Sequence, residues 1–101
     1  MEKEIVWTET AQEQLQEIYF YILEESKNFS IADKVIDTIV DSVTILNSSW
    51  EIYEIDVMRL PNSSNYRAFE IYSYRISYKV TETSIFIIRI RHTSRNPKSF
   101  N

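Results

Sequence analysis

The sequence predicts an α+β domain in which a hairpin of two helices packs on one face of an antiparallel sheet. Two observations predict this class. Residues 8–26 and 30–46 carry apolar side chains at the three- and four-residue spacing of amphipathic helices. Residues 66–92 instead form short alternating segments separated by polar breaks, which is typical of antiparallel strands. A chain of 101 residues is expected to form one domain, residues 1–101.

The first helix follows a short strand, residues 4–7. Thr8 is expected to cap this helix, although Thr10 with Glu13 three residues later forms an alternative capping box. We expect the helix to end at about Ser26. Its apolar stripe is expected to face the core and comprises Ala11, Leu15, Ile18, Tyr19 and Ile22.

Phe20 lies on the opposite side of this helix from the apolar stripe, among charged and polar residues. A single exposed aromatic side chain is common in globular proteins and often has no function. It is also the kind of side chain that contacts a partner protein. Both interpretations are kept for Phe20.

The second helix is expected to begin after a tight connection at residues 27–29, with Ser30 as its cap and Asp33 as the capping partner. A connection this short makes the two helices an antiparallel hairpin. Its apolar stripe is expected to cover a sheet and comprises Ala32, Val35, Ile36, Ile39, Val40, Val43 and Leu46.

Three strands are expected at the C-terminal end, over residues 66–72, 74–80 and 84–92. By simple alternation, Tyr74, Ile76, Tyr78 and Val80 point one way and Arg75, Ser77 and Lys79 the other. The same rule places Phe86, Ile88 and Ile90 on one face of the last strand and Ile85, Ile87, Arg89 and Arg91 on the other. The region before these strands is hard to interpret, and alternation at residues 53–57 allows only a short edge strand.

Composition excludes several classes of function. The chain has no Cys, so it has no disulfide, thiolate or cysteine–zinc site, and with a single His we expect no structural metal. It has no Gly, so it has no phosphate-binding glycine loop and no nucleotide fingerprint. We expect asparagines to occupy the left-handed turn positions instead, and the chain to need no cofactor. The charged start and the lack of a long apolar run predict a cytoplasmic protein without a membrane contact.

The net charge of −4 conceals an uneven distribution. Residues 1–58 carry three basic and thirteen acidic side chains, whereas residues 59–101 carry eight basic and two acidic ones. Such a division predicts a dipolar molecule with a basic surface on its sheet. The alternative is that helices simply carry the acids and strands the bases, and the two interpretations are about equally supported.

The order of the motifs resembles that of the RelE/ParE toxins of bacterial type II toxin–antitoxin systems, which include plasmid stabilisation proteins. The resemblance rests on Ile5-Val6-Trp7-Thr8 before the first helix, on the strand that begins Tyr74-Arg75-Ile76, and on the ending Arg91-His92-x-x-Arg95-x-Pro97. It covers nearly the whole chain. It implies a β-α-α-β-β-β fold and a cognate antitoxin as partner.

Three functions are compatible with this resemblance. A ParE-like toxin would bind and inhibit DNA gyrase, and the Arg-His-x-x-Arg-x-Pro ending is more like ParE. A RelE-like toxin would be an endoribonuclease that cleaves mRNA on the ribosome, but Phe100 stands where those enzymes tend to carry a Tyr, and Phe has no proton to transfer. The third possibility is a non-toxic relative that acts as a binding module. We therefore favour a non-enzymatic, ParE-like toxin.

The resemblance also implies where the site residues lie. We expect Arg75, His92 and Arg95 to be catalytic if the chain is a nuclease. We expect Phe20 to contact the antitoxin, which we take to be an acidic amphipathic segment. The residues expected to bind the target or an anion are Arg67, Arg75, Arg89, Arg91 and Arg95.

Overall fold

A computed structural model describes residues 2–52 and 66–93 of the protein. Three α-helices and a 3₁₀ turn follow the first strand, and three further strands follow them. The elements are β1 (Glu4–Trp7), α1 (Glu9–Ser26), α2 (Phe29–Thr44), α3 (Leu46–Ser49), the 3₁₀ turn Trp50–Ile52, β2 (Tyr66–Ile71), β3 (Tyr74–Val80) and β4 (Ser84–His92).

The strands form one sheet in the order β1-β4-β3-β2. The predicted antiparallel meander of β2, β3 and β4 is confirmed, but β1 pairs with β4 in parallel, so the sheet is mixed. The helical hairpin brings the chain back beside the start of β1, where the Lys3 amide donates a hydrogen bond to the Asn47 carbonyl at 2.8 Å. Because β2 and β4 are both antiparallel to β3, both run in the direction of β1.

The helix α1 begins directly after Thr8, as the sequence predicts. The Thr8 hydroxyl accepts a hydrogen bond from the Ala11 amide at 3.2 Å, so Thr8 caps the helix and the alternative Thr10 box is not used. The helix ends at Ser26, and Lys27 then adopts a left-handed conformation with φ 56°. The Lys27 amide donates to the Leu23 carbonyl at 2.8 Å, which satisfies one of the free carbonyls at the helix end.

Two predictions about local structure were wrong. The cap of α2 is Asn28 rather than Ser30, because the extended backbone of Asn28 lets its side-chain oxygen accept from the Ile31 amide at 3.1 Å. The left-handed positions of the described chain are Lys27, Tyr72 and Ser73, and Asn28 is not among them. The other asparagines assigned to turns, and the edge strand allowed at residues 53–57, lie outside the described residues.

The core lies between the helical hairpin and one face of the sheet, as predicted. Tyr78, Ile39, Leu46, Ile76, Ile85, Ile87 and Val43 are its largest fully buried side chains. Both predicted helical stripes contribute to it, since Ala11 and Ile18 of α1 are buried beside Ile39 and Val43 of α2. Burying a side chain of this size stabilises the fold by about 1.5–3 kcal/mol before the loss of conformational entropy is counted.

A β-bulge in β4 changes which side chains share a face. Tyr78 of β3 pairs with Ile87 and the adjacent Ser77 pairs with Arg89, so Ile88 is an extra residue without a counterpart in β3. The bulge lies where β1 ends and α1 begins, because the Thr8 hydroxyl lies 2.7 Å from the Ile87 carbonyl oxygen and 3.4 Å from that of Ile88.

Simple alternation along β4 was therefore wrong. Ile85 and Ile87 are fully buried against the helices, and Ile90 beyond the bulge is buried on the same face. Arg89 and Arg91 pair with Ser77 and Arg75, which are on the opposite face from Tyr78 and Ile76. Without the extra residue, these arginines would point in the same direction as Ile85 and Ile87.

Candidate functional site

A basic face covers the side of the sheet that the helices leave open. It consists of Arg75 and Lys79 of β3 and Arg89 and Arg91 of β4, and the strand register places these side chains on one surface. The structure thus brings together three of the arginines expected to bind the target or an anion, Arg75, Arg89 and Arg91. One acidic residue, Glu70, faces Arg75 from β2. Arg91 also lines a cleft with Glu17 of α1, so this cation is at the edge of the basic face.

The two aromatic side chains of the open face are at one end of it. Tyr66, Lys79 and Phe86 form a cross-strand row, with the Lys79 ammonium 5.7 Å from the centre of the Tyr66 ring. The register continues this row to Val6 of β1. Cation–π contact of this kind contributes about 0.5–1 kcal/mol at an exposed site. This end of the face is therefore mainly apolar, with one cation held over a ring.

At the other end, Arg75 and Arg91 are directly opposite each other on neighbouring strands. Like charges in this position repel each other and destabilise the pair. Glu70 offsets part of the repulsion, since its carboxylate lies 3.7 Å from the Arg75 guanidinium. The Arg75 side chain is 28 % exposed and that of Glu70 57 %, so this ion pair is solvated and contributes only about 0–1 kcal/mol.

His92 does not join the arginines. It pairs with Tyr74 on the helix-facing side of the sheet, and their rings meet edge to face with centres 4.9 Å apart. The half-buried imidazole also lines a cleft of about 390 Å³ between α1 and the end of β4. Arg75 and His92, two of the three residues expected in a nuclease, therefore lie on opposite faces of the sheet. The third, Arg95, lies outside the described residues.

Arg67 is likewise on the helix-facing side, because it pairs with the buried Tyr78. Its guanidinium carbon lies 5.4 Å from the centre of the Trp50 ring, and the Lys3 ammonium lies 5.1 Å from the same ring. The Lys3 ammonium also donates to the carbonyls of Thr81 and Glu82 at 2.9 and 2.7 Å. The structure thus places Arg67 in an aromatic–cation cluster on the helix-facing side, and Lys79 of the basic face lines the same cleft.

The turn between β2 and β3 contains two residues, Tyr72 and Ser73, at the same end of the sheet as Arg75 and Arg91. Both have positive φ, 55° and 66°, as a type I′ hairpin turn requires. This turn strongly favours Asn and Gly, because other residues crowd the backbone there. The Ser73 carbonyl accepts two hydrogen bonds from Thr93, one from its amide at 2.7 Å and one from its hydroxyl at 3.1 Å.

The sequence did not single out this turn. The segment was interpreted as the junction of two strands, and a chain without Gly contains no Asn-Gly or Asp-Gly pair that would have marked it. The only signal was the single polar Ser73 between two tyrosines. The exposed position of Tyr72, with 49 % of its surface accessible, depends on the left-handed backbone and could not be derived from alternation.

A second surface lies on the helical hairpin. A groove of about 850 Å³ runs along α1 and α2, and we call it the helix groove. Its apolar lining comprises Trp7, Leu15, Tyr19, Phe20, Ile36 and Val40. Phe20 is 55 % exposed and packs edge to face on Tyr19, with ring centres 5.5 Å apart. The rim is acidic and polar, with Glu9 and Glu13 among the residues that line it.

Tyr19 connects the two helices beside this groove. Burial, the nearby Asp33 carboxylate and a hydrogen bond to that carboxylate all raise the pKa of the Tyr19 phenol. The phenol therefore stays protonated at neutral pH and holds the side chain of Asp33 on α2. Tyr19 in turn contacts the ring of Phe20 edge to face, and both side chains line the helix groove.

The described chain offers no metal centre, since no group of three or more His, Cys, Asp or Glu side chains converges in it. No helix among residues 2–52 and 66–93 is long and apolar enough to cross a membrane.

Comparison with known proteins decides the family. The family model described as the ParE toxin of the type II toxin–antitoxin system parDE matches residues 5–97. This match covers almost the whole chain, including the three described α-helices and, apart from Glu4, the four described strands.

The chain belongs to the ParE toxin family.

A solved structure supports the fold of this ParE family member. The chain is similar to one in the chromosomal ParDE toxin–antitoxin system from P. aeruginosa, with a TM-score of 0.73 and 22 % sequence identity. The alignment covers 89 % of this chain and 95 % of the other. No curated protein matches the sequence. The predicted RelE/ParE-like architecture and the preference for ParE over RelE are both confirmed.

Proposed function

We propose that this ParE family toxin acts by binding DNA gyrase through its basic face and inhibiting it, without a chemical step of its own. The observation that carries the proposal is the separation of Arg75 from His92 by the sheet. RNA cleavage needs a proton-transferring group within hydrogen-bond reach of the attacking 2′-hydroxyl or the leaving oxygen, on the same side of the sheet as the cations that hold the phosphate. Four cations on an open surface instead suit the binding of a carboxylate-bearing protein.

The proposal includes neutralisation by a cognate antitoxin that occupies the helix groove. The family is that of type II toxin–antitoxin systems, and the groove is an apolar concavity of about 850 Å³. An amphipathic helix placed there would bury the exposed ring of Phe20. The acidic rim, with Glu9 and Glu13, repels an acidic segment. We therefore refine the expected partner: the part in the groove is apolar with neutral or basic flanks, and acidic residues are confined to the part that reaches the basic face.

The target is tested with Arg75→Gln and Arg91→Gln, which remove charge and keep most of the side-chain length. Each variant is expressed from a tight promoter, and growth, gyrase supercoiling in vitro and cleavage of ribosome-bound mRNA are followed. Wild type should stop growth, inhibit supercoiling and leave the mRNA intact, and both variants should lose inhibition. Lys34→Gln makes the same charge change on α2 and serves as the control that retains inhibition.

Two results would decide against this assignment. Codon-specific mRNA cleavage by wild type, abolished in His92→Ala, would make the protein a ribosome-dependent nuclease. Undiminished gyrase inhibition by the double variant Arg75→Gln/Arg91→Gln would remove the basic face from the target site while keeping gyrase as the target.

The antitoxin site is tested with Phe20→Ala, measured by calorimetric titration with the antitoxin encoded beside the toxin gene. We expect at least about a tenfold loss of affinity, because aromatic anchors in apolar grooves dominate such interfaces. Phe29→Ala is the matched control, since Phe29 is 67 % exposed but does not line the groove. Equal losses in the two variants would show that the contact is not specific to the groove.

A further inference from the structure

We propose that the β2–β3 turn is the point at which this toxin contacts its target, with Tyr72 inserted into an acidic surface of a protein and Arg75 and Arg91 paired with its carboxylates. This inference rests on the proposed function in one respect, that the toxin acts by binding a protein. It adds the residues that make the contact and the chemistry of the surface they recognise.

The backbone of the turn is the first observation. Tyr72 and Ser73 both have left-handed φ values, which cost a non-glycine residue roughly 1–2 kcal/mol each. Asn tolerates this conformation best after Gly, and the chain uses Asn at several other positions. A bulky aromatic residue stands here instead. Strain of this kind persists where the surrounding structure enforces it, and it is concentrated at functional sites.

The second observation is that the turn is held rigidly. Thr93, directly after β4, donates two hydrogen bonds to the Ser73 carbonyl, at 2.7 and 3.1 Å. The turn is therefore tied both to β3 and to the end of β4. A side chain presented from a fixed backbone loses less conformational entropy on binding than one on a free loop. Tyr72 is 49 % exposed on this rigid support, although its ring is one of the larger apolar groups of the chain.

The third observation is electrostatic. Arg75 and Arg91 are opposite each other in the first row from the turn whose side chains are on the open face, where their like charges repel each other, and Glu70 forms a solvated ion pair with Arg75. Carboxylates from outside would relieve this repulsion and accept bidentate hydrogen bonds from the guanidinium groups. Tyr and Arg are also the residue types that most often carry the binding energy of protein interfaces.

The charge of the whole chain favours a protein over a nucleic acid as the partner. The chain has a net charge of −4, and its acidic residues are concentrated in the helical half. A polyanion as long as DNA or RNA would be repelled by these helices beyond the contact itself. A local acidic patch on a protein would instead contact the two arginines and the aromatic ring at the turn. The open sheet surface with Tyr66 and Phe86, where bases could stack, is at the far end from the turn.

The test replaces Tyr72 by Asn, which removes the ring and suits the left-handed backbone. Growth inhibition on induction, supercoiling by purified gyrase, antitoxin affinity, thermal midpoint and molar mass in solution are measured for each protein. We expect Tyr72→Asn to keep its fold and its antitoxin affinity, and to lose target inhibition by about tenfold or more. Ile52→Asn is the matched control, because Ile52 is 59 % exposed in the 3₁₀ turn that begins with Trp50, which lines a cleft with Val80 at the other end of β3, and this variant should retain full inhibition.

Each outcome decides the inference. Full toxicity of Tyr72→Asn would overturn it, and so would loss of antitoxin binding or a change of molar mass, which would assign the turn to the antitoxin or to a second copy of the chain. Binding of a single-stranded oligonucleotide by wild type, lost in the variant, would also overturn it in favour of a nucleic acid. If Tyr72→Asn lowers the thermal midpoint, the double variant Tyr72→Asn/Ser73→Gly supplies the turn with its preferred residues and is scored instead.

The proposed function is judged separately. If wild type does not affect supercoiling, gyrase is excluded as the target, and the turn is then judged by cell growth alone. If wild type inhibits gyrase and Tyr72→Asn inhibits it equally, the target stands and the contact point is wrong.

Discussion

Replacing Ser73 by Gly should make this toxin more stable. Ser73 has φ 66°, a conformation that costs a residue with a Cβ roughly 1–2 kcal/mol and costs Gly almost nothing. Gly loses more backbone entropy on folding, which offsets about 0.5–1 kcal/mol of that gain. The net increase in the free energy of unfolding is therefore about 0.5–1 kcal/mol. For a domain of this size, the thermal midpoint should rise by about 2–8 °C.

The assay is thermal unfolding followed by circular dichroism or calorimetry, in the same buffer for all variants. Ser77→Gly is the matched control, because Ser77 lies within β3, paired with Ala68 and Arg89, where Gly should lower the midpoint. The same substitution, four residues apart in one hairpin, is thus expected to have opposite effects. A midpoint for Ser73→Gly at or below that of wild type would refute the argument that the turn is strained.

Two further predictions concern the contacts around α1. Thr8→Ala should lower the free energy of unfolding by about 1–2 kcal/mol, because it removes both the helix cap and the hydrogen bond of 2.7 Å to the Ile87 carbonyl. Urea denaturation measures this loss, and the control Thr8→Ser should retain most of the stability. An unchanged free energy of unfolding in Thr8→Ala would contradict the capping role. The free energy of unfolding should also fall at high pH because of Tyr19. The pKa of its phenol lies above the ordinary 10.0 in the folded chain, so as the pH rises the phenol loses its proton in the unfolded chain first. Urea denaturation at pH 9 and pH 11 should show a smaller loss for Tyr19→Phe than for wild type, and equal losses would count against the contact with Asp33.

The sequence was sufficient for the features that depend on local periodicity. The helix that begins after Thr8 and the alternation of buried and open residues along β3 follow from spacing alone, because each repeats over several turns or residue pairs. The placement of Arg75 on the open face follows in the same way. These features required no knowledge of what each element packs against.

The remaining features depend on contacts between distant parts of the chain. The bulge at Ile88 forms where Thr8, some eighty residues earlier, turns the chain away from the sheet and bonds to the carbonyls of β4. No local pattern in the sequence of β4 indicates the bulge, yet the bulge determines the face of the sheet on which Arg89 and Arg91 lie. The surroundings of Arg67 could not be predicted for the same reason, since its proximity to Trp50 depends on the path of the chain after α2. Alternation along β2 places Arg67 on one of two faces of the strand, but it does not show that Trp50 lies beside this face.

The parallel pairing of β1 with β4 has a consequence for the order in which the molecule can be completed. β1 is made first, but its only strand neighbour among the described residues is β4, which is synthesised last. During translation, at about 5–20 residues per second, Ile5 and Trp7 have no strand beside them and α1 lacks the bond between Thr8 and Ile87. Arg75 likewise meets Arg91 only when β4 arrives. The sheet, and the basic face that it carries, can therefore be completed only after β4 has been synthesised.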